Sequence, residues 1–353
     1  MRLKSICMSV TLLIMLATLL WFATLIMFAT PSAVSEQTLT FEDYNQIGSG
    51  LSFTLTSNGS VFAVVGTHGA GLWDLKSRTK IGVFQADRLT CQAVSSDAQY
   101  LAVGSSDRTV TVWNVKNRAK IARLHPDAFS VVSMAFSSDG KFLATASNSV
   151  ATLWSVPAFQ ELGKLNGDRL DFPLIRFSPR DQWLLVCTHG ETTANTLSVW
   201  EPQSRKLVHR ITAQNVDFRF FAVSPDERTI AIGATGVHTT PDAERSLVYL
   251  WDTQTWTVRQ RFTISFGNPG SIEFLPDGKA LAVVSYAPSG NPAEPKGIGA
   301  IYFYDPESGR RLGFFVGQFG PILFTPDGKS MVAGHEGALK LFEVAQILKP
   351  SAL

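Results

Sequence analysis

Cysteine is scarce, with three in 353 residues. Cys7 lies in an N-terminal apolar run, and Cys91 and Cys187 are far apart without metal-ligand spacing, so neither a disulfide framework nor a cysteine-held metal is expected. An excess of charge is also missing. There are 31 Lys and Arg against 29 Asp and Glu; Arg2 and Lys4 make the surplus, and no acid precedes Glu36, so the body counts 29 to 29. A neutral body lacks the cations that neutralise phosphates, which excludes a general nucleic-acid binder. Catalytic signatures are absent too: there is no Gly-x-Ser-x-Gly elbow, no His-Glu-x-x-His and no phosphate-cradling Gly-x-x-x-x-Gly-Lys-[Ser/Thr]. The stretch Gly66-Thr67-His68-Gly69-Ala70-Gly71 falls between two strand-like runs rather than before a helix, and reads as a turn. With 45% apolar and 17% charged residues, the chain has the means to bury a large core.

One long apolar run is present. Ile6 to Thr30 carries no charge over 25 residues, and a helix needs roughly 20 to cross a bilayer core. A secretory signal has an apolar core of only about 7–15 residues. The run is therefore expected to be a retained anchor, with cleavage beside the small residues Thr30, Ser32 and Ala33 as the alternative, giving a secreted form. Arg2 and Lys4 precede the run and Glu36, Glu42 and Asp43 follow it, so residues 1–5 are expected in the cytoplasm and the body across the membrane.

The rest repeats. An alternating strand ends in a small polar turn, a second apolar strand follows, and a third closes on an aromatic residue. The turns include Thr56-Ser57-Asn58-Gly59, Phe136-Ser137-Ser138-Asp139-Gly140, Val223-Ser224-Pro225-Asp226 and Phe324-Thr325-Pro326-Asp327-Gly328. The aromatic ends are Trp73, Trp113, Trp154, Trp200, Trp251, Tyr304 and Phe342, which makes seven units. This pattern resembles the WD-repeat β-propeller family over about residues 38–343. The resemblance implies an all-β, seven-bladed propeller of four-stranded blades, and it is nearly silent about function. Trp-Asp survives only at Trp73-Asp74 and Trp251-Asp252, and the family's Gly-His dipeptide before the first strand is missing from every unit, so its buried His–Asp network is expected to be absent or rebuilt, as Asp107, Asn148 and Glu336 in similar turns suggest. Small residues such as Ala102, Ala144, Ala231 and Ala282 are expected to let adjacent blades approach, and the terminal aromatics to pack between them.

The seventh unit ends at Phe342 without a fourth strand. Thr38-Leu39-Thr40-Phe41-Glu42 alternates suitably and is expected to supply it, sealing an exposed sheet edge. The alternative is a tail strand from Val344 to Leu348. The organisation expected is then 1–5 cytoplasmic, 6–30 anchor, 31–37 linker, 38–343 propeller and 344–353 tail.

Two surface features point to binding. Connections between second and third strands grow in units four to six, on the face called the top, and insertions on a repeat scaffold map to its binding side. The residues expected to meet a protein partner are His189, Glu191, His238, Asp242, Glu244, Arg245, Tyr286, Asn291, Glu294 and Lys296. On the opposite face, Lys76, Arg78, Lys80, Lys116, Arg118 and Lys120 form basic turns suited to an anionic membrane surface. His68, His125, His189, His238 and His335 fall in top-face connections of five different blades, without close ligand spacing, so no metal or cofactor is expected. The function expected is a membrane-anchored, non-enzymatic scaffold. The alternative is an enzyme or ligand sensor with a small molecule over the central channel.

Overall fold

The computed structural model describes residues 36–38, 50–56, 58–66, 68–86, 88–127, 129–148, 150–165, 173–188, 195–213, 216–236, 246–264, 268–286, 299–317, 319–335 and 338–348. The strands form seven antiparallel sheets of four. After β1 (Glu36–Thr38), blade 1 holds β2 (Gly50–Leu55), β3 (Val61–Gly66), β4 (Gly69–Asp74) and β5 (Lys80–Phe84). Blade 2 holds β6 (Leu89–Val94), β7 (Tyr100–Ser105), β8 (Val110–Asn114) and β9 (Ala119–Leu124), and blade 3 holds β10 (Val131–Phe136), β11 (Phe142–Ser147), β12 (Ala151–Ser155) and β13 (Glu161–Leu165). Blade 4 runs through β14 (Leu174–Phe177), β15 (Leu184–Thr188), β16 (Asn195–Glu201) and β17 (Lys206–Ala213). Blade 5 runs through β18 (Val216–Val223), β19 (Thr229–Gly236), β20 (Ser246–Asp252) and β21 (Thr257–Thr263). Blade 6 has β22 (Asn268–Phe274), β23 (Leu281–Tyr286), β24 (Gly299–Tyr304) and β25 (Arg311–Val316). Blade 7 has β26 (Phe319–Phe324), β27 (Ser330–His335) and β28 (Ala338–Glu343), followed by a short helix α1 (Val344–Ile347).

The N-terminal strand does complete blade 7. β1 pairs antiparallel with β28, Glu36 opposite Phe342 and Thr38 opposite Lys340. It begins two residues before the expected segment, inside the stretch read as linker, and residues 39–42 of that segment lie outside the described residues. The tail alternative is not adopted: Val344–Ile347 coils into α1, burying Val344 and Ile347, and so leaves the edge of β28 to β1.

The aromatic ends explain the packing. Trp73, Trp113, Trp154, Trp200, Tyr304 and Phe342 are all buried, while Trp251 is partly buried. In blades 1 to 6 the ladder between third and fourth strands slips by one residue beside this aromatic, at Trp73, Trp113, Trp154, Trp200, Trp251 and Tyr304. A bulge at that point raises the local twist and swings the outer strand away while the ring turns inward. Ala63, Ala102, Ala144, Ala231 and Ala282 are fully buried at the centres of second strands, where a larger side chain would push neighbouring sheets apart. Of the residues expected to rebuild the polar network, Asp107 is exposed and bonds within its own turn, Asn148 Oδ1 is buried without a partner among the described residues, and Glu336 lies outside them. A buried aromatic-end bond is nonetheless present in blade 3. Trp154 Nε1 donates to Thr145 Oγ1 at 3.0 Å, and the Asp107 carboxylate accepts from Thr109 N at 3.0 Å and Thr109 Oγ1 at 2.6 Å within its own turn.

The first-to-second turns interlock around the bottom of the channel. The fourth residue of each is left-handed: Gly59, Ala98, Gly140, Asp181, Glu227, Gly278 and Gly328 all have φ between 57 and 73°. This residue faces the second residue of the preceding blade's turn. A Cβ on Gly59 would lie 2.4 Å from Pro326 Cδ, so only glycine fits there. Blade 3 has Ser138 where blades 4 to 7 have proline, hence an extra N–H, and blade 4 has Asp181 where glycine is usual. The two changes answer each other. Asp181 accepts from Ser138 N at 2.8 Å, Asp139 N at 2.7 Å and Ser138 Oγ at 2.5 Å. Asp181→Ala is expected to lower stability by about 2–3 kcal/mol, because three bonds to a charged acceptor are lost and the left-handed strain remains. Asp181→Gly, which relieves that strain, should lose less. Denaturant melts of the two variants check the order; equal losses would contradict it.

Candidate functional site

The top-face expectation rests on where strands stop. β15 ends at Thr188 and β16 resumes at Asn195; β19 ends at Gly236 and β20 resumes at Ser246; β23 ends at Tyr286 and β24 resumes at Gly299. The spans between, 189–194, 237–245 and 287–298, contrast with 67–68, 106–109, 148–150 and 336–337 in the other blades. His189, Glu191, His238, Asp242, Glu244, Arg245, Asn291, Glu294 and Lys296 lie in those spans, outside the described residues. Tyr286 closes β23 opposite Gly299. The stem in blade 4 is held at both strands: Asn195 Nδ2 donates to Val216 O at 2.9 Å, tying blade 4 to blade 5, and the Thr188 and Thr196 hydroxyls bond at 3.0 Å. Three neighbouring stems thus carry their insertions at one end of the ring.

The basic residues occupy the other end. Lys76 and Arg78 lie between β4 and β5, Lys116 and Arg118 between β8 and β9, while Lys80 and Lys120 sit on the outer strands themselves. Two of them have local work. Arg118 donates to the Ile81 carbonyl of blade 1 at 3.1 Å, and Lys120 Nζ lies 4.8 Å over the Trp113 ring. Acids share this face but are tied into turns. Hydrogen bonds from Ser77 hold Asp74 below its ordinary value, and those from the Thr325 hydroxyl and Lys329 N–H do the same for Asp327.

A polar constellation that the sequence reading did not single out lies inside the channel. In each innermost strand, the residue two before the turn is Thr54, Ala93, Ala135, Arg176, Ala222, Glu273 or Leu323. Blade 5 places only Ala222 between Arg176 and Glu273, so the guanidinium reaches past it and pairs with the carboxylate of blade 6. Burial pushes the Glu273 carboxyl above its ordinary value, although the Arg176 charge and hydrogen bond pull it back. The signal for this pair was in the sequence, as two charges in an otherwise small or apolar column. Their partnership required the ring.

A shallow cleft of about 290 Å³ opens between the bottom turns of blades 5 and 6, with Pro225, Asp226, Phe274, Asp277, Pro306 and Glu307 on its walls. Asp226 is engaged by Ser224 Oγ at 2.6 Å and Arg228 N at 3.0 Å, which holds it as an anion in its own turn rather than as a free base. Burial raises the Cys91 thiol to about 12 and pushes Cys187 up as well, so neither is a nucleophile at neutral pH. Among the described residues no three His, Cys, Asp or Glu side chains converge as metal ligands. No described helix is long and apolar enough to cross a membrane, and residues 6–30 lie outside the described residues.

The family model for the WD domain, G-beta repeat, matches residues 78–114 and 120–155, within blades 1 to 3. Pre-mRNA-processing factor 19 homolog 2 of Arabidopsis thaliana is 27% identical over 110 residues, which is 31% of this chain and 21% of that protein. An uncharacterized WD repeat-containing protein of Synechocystis sp. is 22% identical over 148 residues, 42% of each. TBC1 domain family member 31 of Homo sapiens is 24% identical over 186 residues, 50% of this chain and 16% of that protein. The chain therefore spans less than half the length of these curated relatives. Among solved structures, Kuenenia stuttgartiensis hydrazine synthase superposes with a TM-score of 0.69 over 87% of this chain and 98% of that chain, at 14% identity. That likeness is one of fold.

Proposed function

We propose that this chain, a seven-bladed β-propeller carrying WD40 repeats, is a non-enzymatic scaffold that holds a protein partner on the top-face loops of blades 4 to 6. The observation that carries this reading is the run of three consecutive long connections at one end of the ring, 189–194, 237–245 and 287–298, where other blades turn in two to four residues. Loops inserted on a rigid scaffold are where binding residues concentrate. Residues 6–30 anchor the propeller as a single span, with the N-terminus cytoplasmic and the ring outside, because the cations precede that run and the acids follow it. β1 enters blade 7 at Glu36, so five residues, 31–35, separate ring from span, a reach of at most about 18 Å. The bottom face, with Lys76, Arg78, Lys80, Lys116 and Lys120, then lies toward anionic lipid, and the long loops point away from it.

Photo-crosslinking tests this reading. A benzophenone amino acid placed at 191, 242 or 294 in the full-length protein should give protein adducts in intact cells, whereas one at 77, 204 or 254 should give few. Adducts mainly from the second set would overturn it.

A further inference from the structure

The outer strand of every blade presents unpaired backbone N–H and C=O groups, and proteins blunt such edges with charge, proline or a covering group. Here the blunting differs from blade to blade. β9 carries Lys120 and Arg123, β13 Glu161 and Lys164, β17 Lys206 and Arg210, and β21 Arg259 and Arg261. β5 has only Lys80, but Arg118 from the next blade bonds its Ile81 carbonyl, and Arg205 does the same to Leu162 of β13. β25 likewise has only its first residue, Arg311, whose guanidinium lies 5.3 Å from the Phe314 ring centroid, and among the described residues no arginine of the next blade clasps its backbone. Past Arg311 it reads Leu312-Gly313-Phe314-Phe315-Val316 without a charge, and Phe314 is 52% and Val316 49% exposed.

The missing clasp has a topological cause. Arg118 and Arg205 project from the third-to-fourth hairpin of the following blade. Blade 7 has no such hairpin, because β28 and β1 come from opposite ends of the chain. α1 stands in its place and covers only one side of β25, with Ile347 packed in the cluster that takes Leu312 and Phe315.

The open groups can be assigned from the register. Gly317 N donates to Gly299 O at 2.9 Å, and Ala300 lies opposite Val316, Phe314 opposite Tyr302. Bonded and non-bonded pairs alternate along an antiparallel ladder. Val316 and Phe314 are therefore the non-bonded members, and both turn their N–H and C=O away from β24. Among the described residues nothing bonds them. The same two residues thus offer an open backbone edge and exposed apolar side chains. Arg310 and Arg311 stand at the start of the strand, Arg310 opposite Asp305 of its own hairpin and Arg311 over the Phe314 ring, and no Asp or Glu occurs from 310 to 317.

We propose that β25 is a strand-addition site for an extended segment of a protein partner. That segment alternates apolar and polar residues and carries acid where it meets Arg310 and Arg311, so main-chain bonds give the affinity and the apolar side chains the register. The inference rests on the scaffold reading and adds a second contact on blade 6.

The test titrates the detergent-solubilised full-length chain with a fluorescent peptide of about nine residues, alternating Val and Thr and ending in two Asp. Saturable binding is expected. It should weaken about tenfold or more with F314K/V316K, and equally when alternate peptide amides are N-methylated, while F129K leaves it unchanged. Both lysines enter at exposed positions, so the variant should melt like the parent. No saturation by about 1 mM, indifference to F314K/V316K, or indifference to N-methylation would overturn the proposal. Self-association of the parent that F314K/V316K abolishes would overturn it in favour of a second copy of this chain. Deleting the three top loops should leave peptide binding intact, so failure of the loop reading and failure of this one are separable.

Discussion

Arg176→Met should cost about 3 kcal/mol of stability, the low end of the range for breaking a buried ion pair. The methionine keeps most of the stem's packing but leaves the Glu273 carboxylate in the channel without its counter-charge. With 35% of the Arg176 side chain and 18% of the Glu273 side chain accessible, channel water tempers the loss. The pH dependence has a definite sign. Burial already holds Glu273 above its ordinary 4.5, with Arg176 opposing that shift, so removing Arg176 raises it further. A folded carboxyl that binds its proton more tightly than the unfolded one loses stability as pH rises through the interval between the two values. The deficit of the variant relative to the parent should therefore be larger at neutral pH and narrow as pH falls toward 4.5. Adding Glu273→Gln to the same chain should recover most of it, since no buried charge then remains. Denaturant melts at both pH values decide the matter; a deficit that does not change with pH would show that the pair is not what braces the channel.

The ring was legible because its determinants are local and repeated. The alternating strands, the small polar turns such as Ser137-Ser138-Asp139-Gly140 and Thr325-Pro326-Asp327-Gly328, and the aromatic ends recur in phase, and each predicts the same blade. Buried Ala102, Ala144, Ala231 and Ala282 follow from the same periodicity. The closing strand was legible in kind but not in register, because Glu36-Gln37-Thr38 is short and carries no apolar alternation to fix which residues pair. What escaped the sequence is everything set by which blades stand side by side. Arg176 and Glu273 are 97 positions apart and meet only because Ala222 leaves room. Asp181 looks like a misplaced turn acid until Ser138 of the previous blade is seen beneath it. The bare edge of β25 follows from the seam of the ring, which no local window reports.

The central claim, that the long loops of blades 4 to 6 hold a protein partner, predicts a large loss of binding from a change that leaves the ring alone. Loops of this kind add little to ring stability, because loop-closure entropy grows only slowly with length. Replacing 189–194, 237–245 and 287–298 with two-residue turns like 67–68 should therefore spare the fold. The stems at Asn195 and Thr188 keep their bonds to Val216 and Thr196. The decisive measurement is quantitative capture of bound proteins by full-length parent and loop-shortened protein, solubilised in parallel and matched for melting temperature. The account predicts that the shortened protein loses the parent's partners by about tenfold or more. Recovery of the same partners at the same yield would contradict it.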